Sequence, residues 1–167
     1  MAEKNRQQAR NLLITGATGG MGRAATLLAA GEGYNLVLAD LSQEKLEELV
    51  AEISRHGVMT RCQTLDVTQS ASIDELISVV AANGGVDAII HTVGLSPQMA
   101  ASKRIIDVDL IGTVELLEKA RPVLQAGGCA LCIASMSAYM VPANEDVEYA
   151  LAESLAGTHA QLDAMYC

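Results

Sequence analysis

Leu12-Leu13-Ile14-Thr15-Gly16-Ala17-Thr18-Gly19-Gly20-Met21-Gly22 is the stretch that decides the fold. Its apolar start has the length of a strand, its glycines make a tight turn, and a helix is predicted to begin near Met21. Glycines at such a junction permit the turn, let backbone approach a pyrophosphate, and let the helix pack close on the strand. The helix N-terminus then offers unpaired N–H groups and the positive end of its dipole to phosphates. Alone, the same glycines also fit an ordinary turn, so the rest of the chain must choose.

Outward from that stretch, strands and helices alternate. Further strands are predicted at Asn35–Ala39, Val58–Leu65, Val86–Val93 and Cys129–Ala134, most of them nearly continuous apolar runs. Between them, helices are predicted at Met21–Ala30, Gln43–His56, Ser70–Ala82 and Ser102–Ala120, with Pro122 ending the last. Ser42 reads as an N-cap with Lys45 where a capping-box Glu would stand, and Gly57 after His56 is a left-handed stop. The pattern predicts a single α/β domain over 1–167, a doubly wound parallel sheet of order 3-2-1-4-5. Residues 1–10 are expected to be a flexible N-terminus, and 136–167 a loop and short helices over Glu145–Ala156 and Thr158–Met165.

Composition narrows the class. Half of the 167 residues are apolar, with no Phe or Trp, so the core must be Leu, Ile, Val, Ala and Met. A net charge of −9 argues against nucleic-acid or anionic-membrane partners. No apolar run approaches the ~20 residues of a membrane span, and the polar Met1–Arg10 segment does not read as a secretory signal, so a cytoplasmic protein is expected. Cys129 and Cys132 form a CxxC within a strand, where i and i+3 point to opposite faces. They are therefore expected to be buried structural cysteines, and no metal site is expected.

Strand ends at the carboxyl edge of such a sheet line the ligand crevice. Asp40 closes the second strand, where a carboxylate can accept from both hydroxyls of an adenosine ribose. It would repel a 2′-phosphate, and neither Leu41 and Ser42 nor Ala17 and Gly19 offers an offsetting cation. NAD is expected in preference to NADP.

Thr15-Gly16-Ala17-Thr18-Gly19-Gly20-Met21-Gly22 fits a TGxxxGxG pattern. Asp40, Leu65-Asp66-Val67-Thr68, His91-Thr92-Val93-Gly94, Val108-Asp109-Leu110-Ile111-Gly112-Thr113 and Ile133-Ala134-Ser135 follow it in order. In this the chain resembles the short-chain dehydrogenase/reductase family from about Leu12 to Ser135. Gly16-x-x-Gly19-x-x-Gly22 also fits the extended, epimerase-like branch, while the later motifs favour the main one.

The resemblance implies that Gly16, Gly20 and Gly22, with Thr18 and Met21 in the same loop, contact the pyrophosphate region. Asp40, with Leu41 beside it, would hold the ribose, and Asp66 would accept from the adenine amino group while Val67 offers its backbone. His91 and Gly94 fall in the family's Asn-Asn-Ala-Gly stretch, implying backbone contact with the cofactor. Ser135 would be the catalytic serine that polarises a substrate carbonyl. The implied function is an NAD-dependent oxidoreductase acting on an alcohol or ketone, as a homo-oligomer. The alternative is a catalytically inactive nucleotide-binding or interaction module.

Three departures accompany the resemblance. Asp109 stands where the family has an asparagine, and an ionised acid cannot donate. Tyr149 stands near the place of the family's general acid/base, but position 153 is Glu rather than Lys, and no Lys or Arg follows Arg121. A carboxylate raises a phenol's pKa, where an ammonium would lower it. Finally, Tyr139–Cys167 reads as an insertion like that of some bacterial hydroxysteroid dehydrogenases, with the Tyr-x-x-x-Lys pair and the last strands expected beyond Cys167. The strand Cys129–Ala134 would then be an exposed apolar edge, expected to be covered by residues 146–165 or by a second chain.

Overall fold

The computed structural model describes residues 10–136, together with Met140, Pro142 and Asn144. The expected N-terminal tail up to residue 9, both C-terminal helices, Tyr139 and Tyr149 lie outside the described residues. In chain order the elements are β1 (Asn11–Thr15), α1 (Gly20–Gly31), β2 (Asn35–Asp40), α2 (Gln43–Ile53), β3 (Thr60–Thr64) and α3 (Ser70–Ala82). There follow β4 (Val86–His91), α4 (Ser102–Ile105), a π-helical stretch (Ile106–Gly112), α5 (Thr113–Ala120) and β5 (Leu124–Cys132). The five strands form one parallel sheet in the order β3-β2-β1-β4-β5, as the alternating pattern implies.

Strand alternation divides the core between the two faces of the sheet. Leu13, Val37, Ala39 and Ile89 face one side, where Ile73, Leu76 and Val80 of α3 and Leu116 and Ala120 of α5 cover them. Leu12, Ile14, Leu36 and Leu38 face the other, under Ala29 and Ala30 of α1 and Leu46, Leu49 and Ile53 of α2. The 3–4 spacing of apolar residues in α2 and α3 is thereby explained. The hydroxyl of Thr26, buried in α1, donates to the Gly22 carbonyl at 2.9 Å.

The amino ends of the central strands are fastened by one side chain. Asn11 Nδ2 donates to the carbonyls of Asn83 and Gly85 at 3.2 and 3.0 Å, and Asn11 Oδ1 accepts from Asn35 Nδ2 at 3.1 Å. The Asn11 N–H donates to Asp87 Oδ2 at 2.7 Å. One residue of β1 so ties down β2 and the turn into β4.

Several boundaries differ from the sequence expectation. α2 ends at Ile53, and Ser54–His56 tightens into a 3-10 turn before Gly57, whose φ of 67° is left-handed. The helical run from Ser102 to Ala120 forms over the expected span, but its middle is π-helical. β5 begins at Leu124, earlier than expected, because Gly127 (φ 81°) absorbs a register shift against Val86 and Ala88. The largest correction concerns the cysteines. Cys129 and Cys132 are exposed rather than buried, because β5 is an edge of the described sheet and no described residues form a layer over its side chains. Leu131 and Ile133 share that exposure, at 53% and 42%.

Candidate functional site

The carboxyl ends of β1, β2, β4 and the segment after β3 open onto a cavity of about 480 Å³, lined on one side by Gly16, Thr18 and Gly19. Such a volume lies within the range of pockets for small molecules and cofactors. The turn that forms this wall depends on two glycines. Gly16 has φ 71°, and a Cβ there would lie 2.8 Å from Thr92 Oγ1. A Cβ on Gly22 would run into the Gly16 carbonyl oxygen and stand 2.9 Å from Ala17 Cα. Gly22 is buried and does not line the cavity; it lets α1 seat directly on the turn. Gly20, by contrast, has nothing within 4 Å of a would-be Cβ. It opens α1 together with the exposed Met21, and neither lines the cavity.

Asp40 ties β2 to the turn while facing the same space. Its Oδ2 accepts from the Thr18 N–H and its Oδ1 from the Leu41 N–H, both at 2.8 Å. Each oxygen keeps a further lone pair for a ligand hydroxyl. Leu41 lines the cavity with Asp40, and so does Lys45. Leu41, Ser42, Ala17 and Gly19 bring no cation to Asp40, but Lys45, a residue outside that set, lines the same cavity. Ser42 caps α2, its hydroxyl accepting from the Lys45 N–H at 3.3 Å, and the first helical turn brings Lys45 back to the cavity side.

Asp66 and Val67 form the wall after β3. Asp66 Oδ1 accepts from the Thr68 N–H at 2.9 Å and from the Thr68 hydroxyl at 2.7 Å. Partial burial works against its charge, but the bonds from Thr68 and the neighbouring Arg104 cation outweigh it and hold the carboxyl below its usual range. Arg104 of α4 completes this side, a cavity residue that no motif in the sequence marks.

Opposite, Gly94 and Leu95 follow β4 and also line the space. Asp109 Oδ1 accepts from the Leu95 N–H at 2.8 Å, so the acid in the family's asparagine position still supports this loop as an acceptor. Asp109 sits in the π-helical stretch Ile106–Gly112, and single turns of π-helix are frequent at functional sites. Gly112 closes that turn against Val67, whose carbonyl would lie 2.7 Å from a Cβ there.

His91 does not line the cavity. It is buried behind the turn, with Nδ1 2.6 Å from Thr15 Oγ1 and Nε2 2.8 Å from Thr113 Oγ1. Burial pushes its pKa down to about 4, so the ring is neutral at pH 7 and bridges β1 to α5. Next to it the Thr92 hydroxyl donates toward the carbonyls of Thr15 and Gly16 at 3.0 and 3.2 Å, bracing the turn from below. Ser135 lies just past the carboxyl end of β5, exposed and outside the cavity lining. Tyr149 lies outside the described residues. Among the described residues no helix is long and apolar enough to cross a membrane.

Comparison with known proteins agrees with this geometry. The family model described as short chain dehydrogenase matches residues 10–152. An uncharacterized oxidoreductase of Staphylococcus aureus (strain MW2) is 33% identical over 142 residues, 77% of this chain and 59% of its own. A 7alpha-hydroxysteroid dehydrogenase of Bacteroides fragilis is 30% identical over 153 residues, 84% of this chain and again 59% of its own. This chain thus spans about three-fifths of the length of these relatives. Among solved structures, an alcohol dehydrogenase from Thermococcus sibiricus complexed with 5-hydroxy-NADP superposes with a TM-score of 0.69 at 27% identity, covering 92% of this chain and 66% of that one. A short-chain dehydrogenase/reductase from Brucella melitensis gives 0.72 at 25% identity, covering 93% and 65%. With its parallel sheet, its glycine turn and its cavity at the carboxyl edge, the chain belongs to the short-chain dehydrogenase/reductase family.

Proposed function

We propose that the chain is the cofactor-binding part of an NAD-dependent oxidoreductase that interconverts an alcohol and a ketone. The observation that carries this reading is the Asp40 carboxylate, facing the cavity beside the glycine turn. When bound, the nicotinamide cofactor supplies a hydride acceptor or donor. Gly16, Thr18 and Gly19 would form the wall against the pyrophosphate, and the start of α1 at Gly20 and Met21, seated by Gly22, would turn the helix dipole toward it. Asp40 would accept from the ribose hydroxyls beside Leu41, and Asp66 from the adenine amino group next to Val67. Gly94 would let the other half of the cofactor approach the backbone after β4, on the strand that His91 anchors. Ser135, past the end of β5, would polarise the substrate oxygen.

Relatives named as oxidoreductases weigh against the alternative of an inactive module. Tyr149, with Glu153 in place of a lysine, is a weak candidate for proton transfer, so cofactor binding is the stronger half of the proposal. The exposed β5 edge supports homo-oligomer formation, and the unpaired thiols of Cys62, Cys129 and Cys132 suit the cytoplasm.

Calorimetric titration tests the cofactor preference. NADH should bind about tenfold more tightly than NADPH, the effect of one partly screened like-charge contact. In Asp40→Ser the like charge is gone while Lys45 still lines the cavity, and the preference should narrow or reverse. Equal or tighter NADPH binding by the unaltered chain overturns the NAD assignment. Stopped-flow absorbance at the NADH band, with a panel of secondary alcohols, tests the chemistry. Slow or undetectable turnover is expected for this chain, and rapid turnover would show that it does not need a Tyr–Lys pair.

A further inference from the structure

Arg104 is a cavity cation that the reading above leaves without a task. It sits on α4, far along the chain from the turn after β3, yet reaches across to that turn. Its Nη1 donates to Thr68 Oγ1 at 2.9 Å, and its Nη2 stands 3.7 Å from Asp66 Oδ2. The Thr68 hydroxyl itself donates to Asp66 Oδ1, so it accepts from Arg104 while it holds the acid. Oδ1 also takes the Thr68 N–H, which leaves Oδ2 as the oxygen open to a ligand, with Arg104 beside it. Asp66, Val67 and Arg104 all line the cavity. An ion pair this exposed, with side chains 47% and 32% accessible, contributes little to folding.

We propose that Arg104 is an affinity-determining residue for the purine end of the bound nucleotide, forming one wall for the base and placing a positive charge beside the open Oδ2 of Asp66. The proposal rests on the cofactor reading of the same cavity. A planar guanidinium offers a face on which a purine can lie, and its hydrogen bond to Thr68 keeps that face at the turn beside Asp66. Without it the base loses a wall and the charge beside Asp66 Oδ2, while Oδ1 keeps both bonds from Thr68 and the glycine turn and Asp40 are untouched.

The test compares AMP with ribose 5-phosphate, which shares the ribose and the phosphate and carries a hydroxyl in place of the base. AMP is titrated by calorimetry into the full chain, and ribose 5-phosphate is measured by displacement of AMP. The ratio of the two affinities isolates the base. In the unaltered chain AMP should bind at least about tenfold more tightly, given what stacking plus one charge-assisted hydrogen bond contributes. Arg104→Met should reduce that ratio by about tenfold while ribose 5-phosphate affinity stays within about twofold, and Arg104→Lys should recover part of it. A fall of both affinities together would mark a merely structural role and overturn the proposal. A full AMP preference in Arg104→Met would overturn it while leaving the cofactor reading intact. If the unaltered chain shows no AMP preference, the cofactor reading fails at its purine end and the proposal falls with it. Arg104→Gln, which keeps a planar polar head without charge, serves as the second variant if Arg104→Met does not fold by circular dichroism.

Discussion

Gly22→Ala should destabilise the chain by about 3 kcal/mol, at the upper end of what overpacking a tight interior costs. For a domain of this size that corresponds to a fall in melting temperature of about 6–12 °C. The new methyl would collide with the Gly16 carbonyl oxygen and press on Ala17 Cα, both backbone atoms that cannot rotate away. Relief requires α1 to lift from the turn, which unseats Thr18 from Asp40 and pulls Ala29 and Ala30 from the core beneath. NADH affinity should fall further than stability, because the backbone N–H groups of the turn lose their common aim. Gly20→Ala is the matched control: its methyl meets nothing within 4 Å, so melting should shift by no more than about 2 °C, as for an exposed substitution. Thermal melts of the two variants side by side decide the matter. Equal melting temperatures would mean that the turn yields at little cost.

Acid should undo the fold through His91. The ring has a pKa of about 4 in the folded protein, against 6.5 in its ordinary state, so between these values the unfolded chain binds the proton more readily. Its contribution to stability is therefore complete above pH 6.5 and is lost as pH falls toward 4. The whole contribution amounts to about 3 kcal/mol, from a shift of about two and a half pKa units. Both ring nitrogens meet threonine hydroxyls, and neither partner carries a charge to offset an imidazolium. Carboxylates elsewhere add their own acid dependence, so the measurement is a difference. Urea unfolding at pH 7.5, 5.5 and 4.5 should show the unaltered chain losing more stability than His91→Asn, whose amide can bond to Thr15 and Thr113 without titrating. Parallel losses in the two proteins would remove His91 as the cause.

Much of the architecture was legible because it follows from short-range rules. The apolar spacing of Leu46, Leu49 and Ile53 places α2 on one face of the sheet, and Ile73, Leu76 and Val80 place α3 on the other. Alternation then leaves few topologies. Asp40 and Asp66 could be found as acids closing strands, and the structure sets both on the cavity wall. Lys45 and Arg104 were harder. Each reaches the cavity by geometry that spacing does not display: a helical turn folding Lys45 back to the cavity that Asp40 lines, and a long side chain crossing from α4 to the turn after β3. The cysteines of β5 misled for a related reason. An apolar run suggests burial, but burial depends on what lies over the strand, and a strand's own residues carry no record of that. Gly22 is marked in the sequence only by its motif; that it packs against Gly16, rather than toward the cavity, follows from how α1 seats on the turn.

Asn11 has a bearing on how such a chain can change over time. Its side chain locks the amino ends of β1 and β2 and the approach to β4, at the end of the sheet farthest from the cavity. The opposite end is thus free to be reshaped loop by loop without loosening the strands that carry it. Substitutions at Leu41, Lys45 or Arg104 alter what is recognised, and substitutions at Asn11 or Asp87 alter whether the sheet holds. A lineage bearing this arrangement can exchange ligands at one end of the same strands while selection keeps the other end fixed.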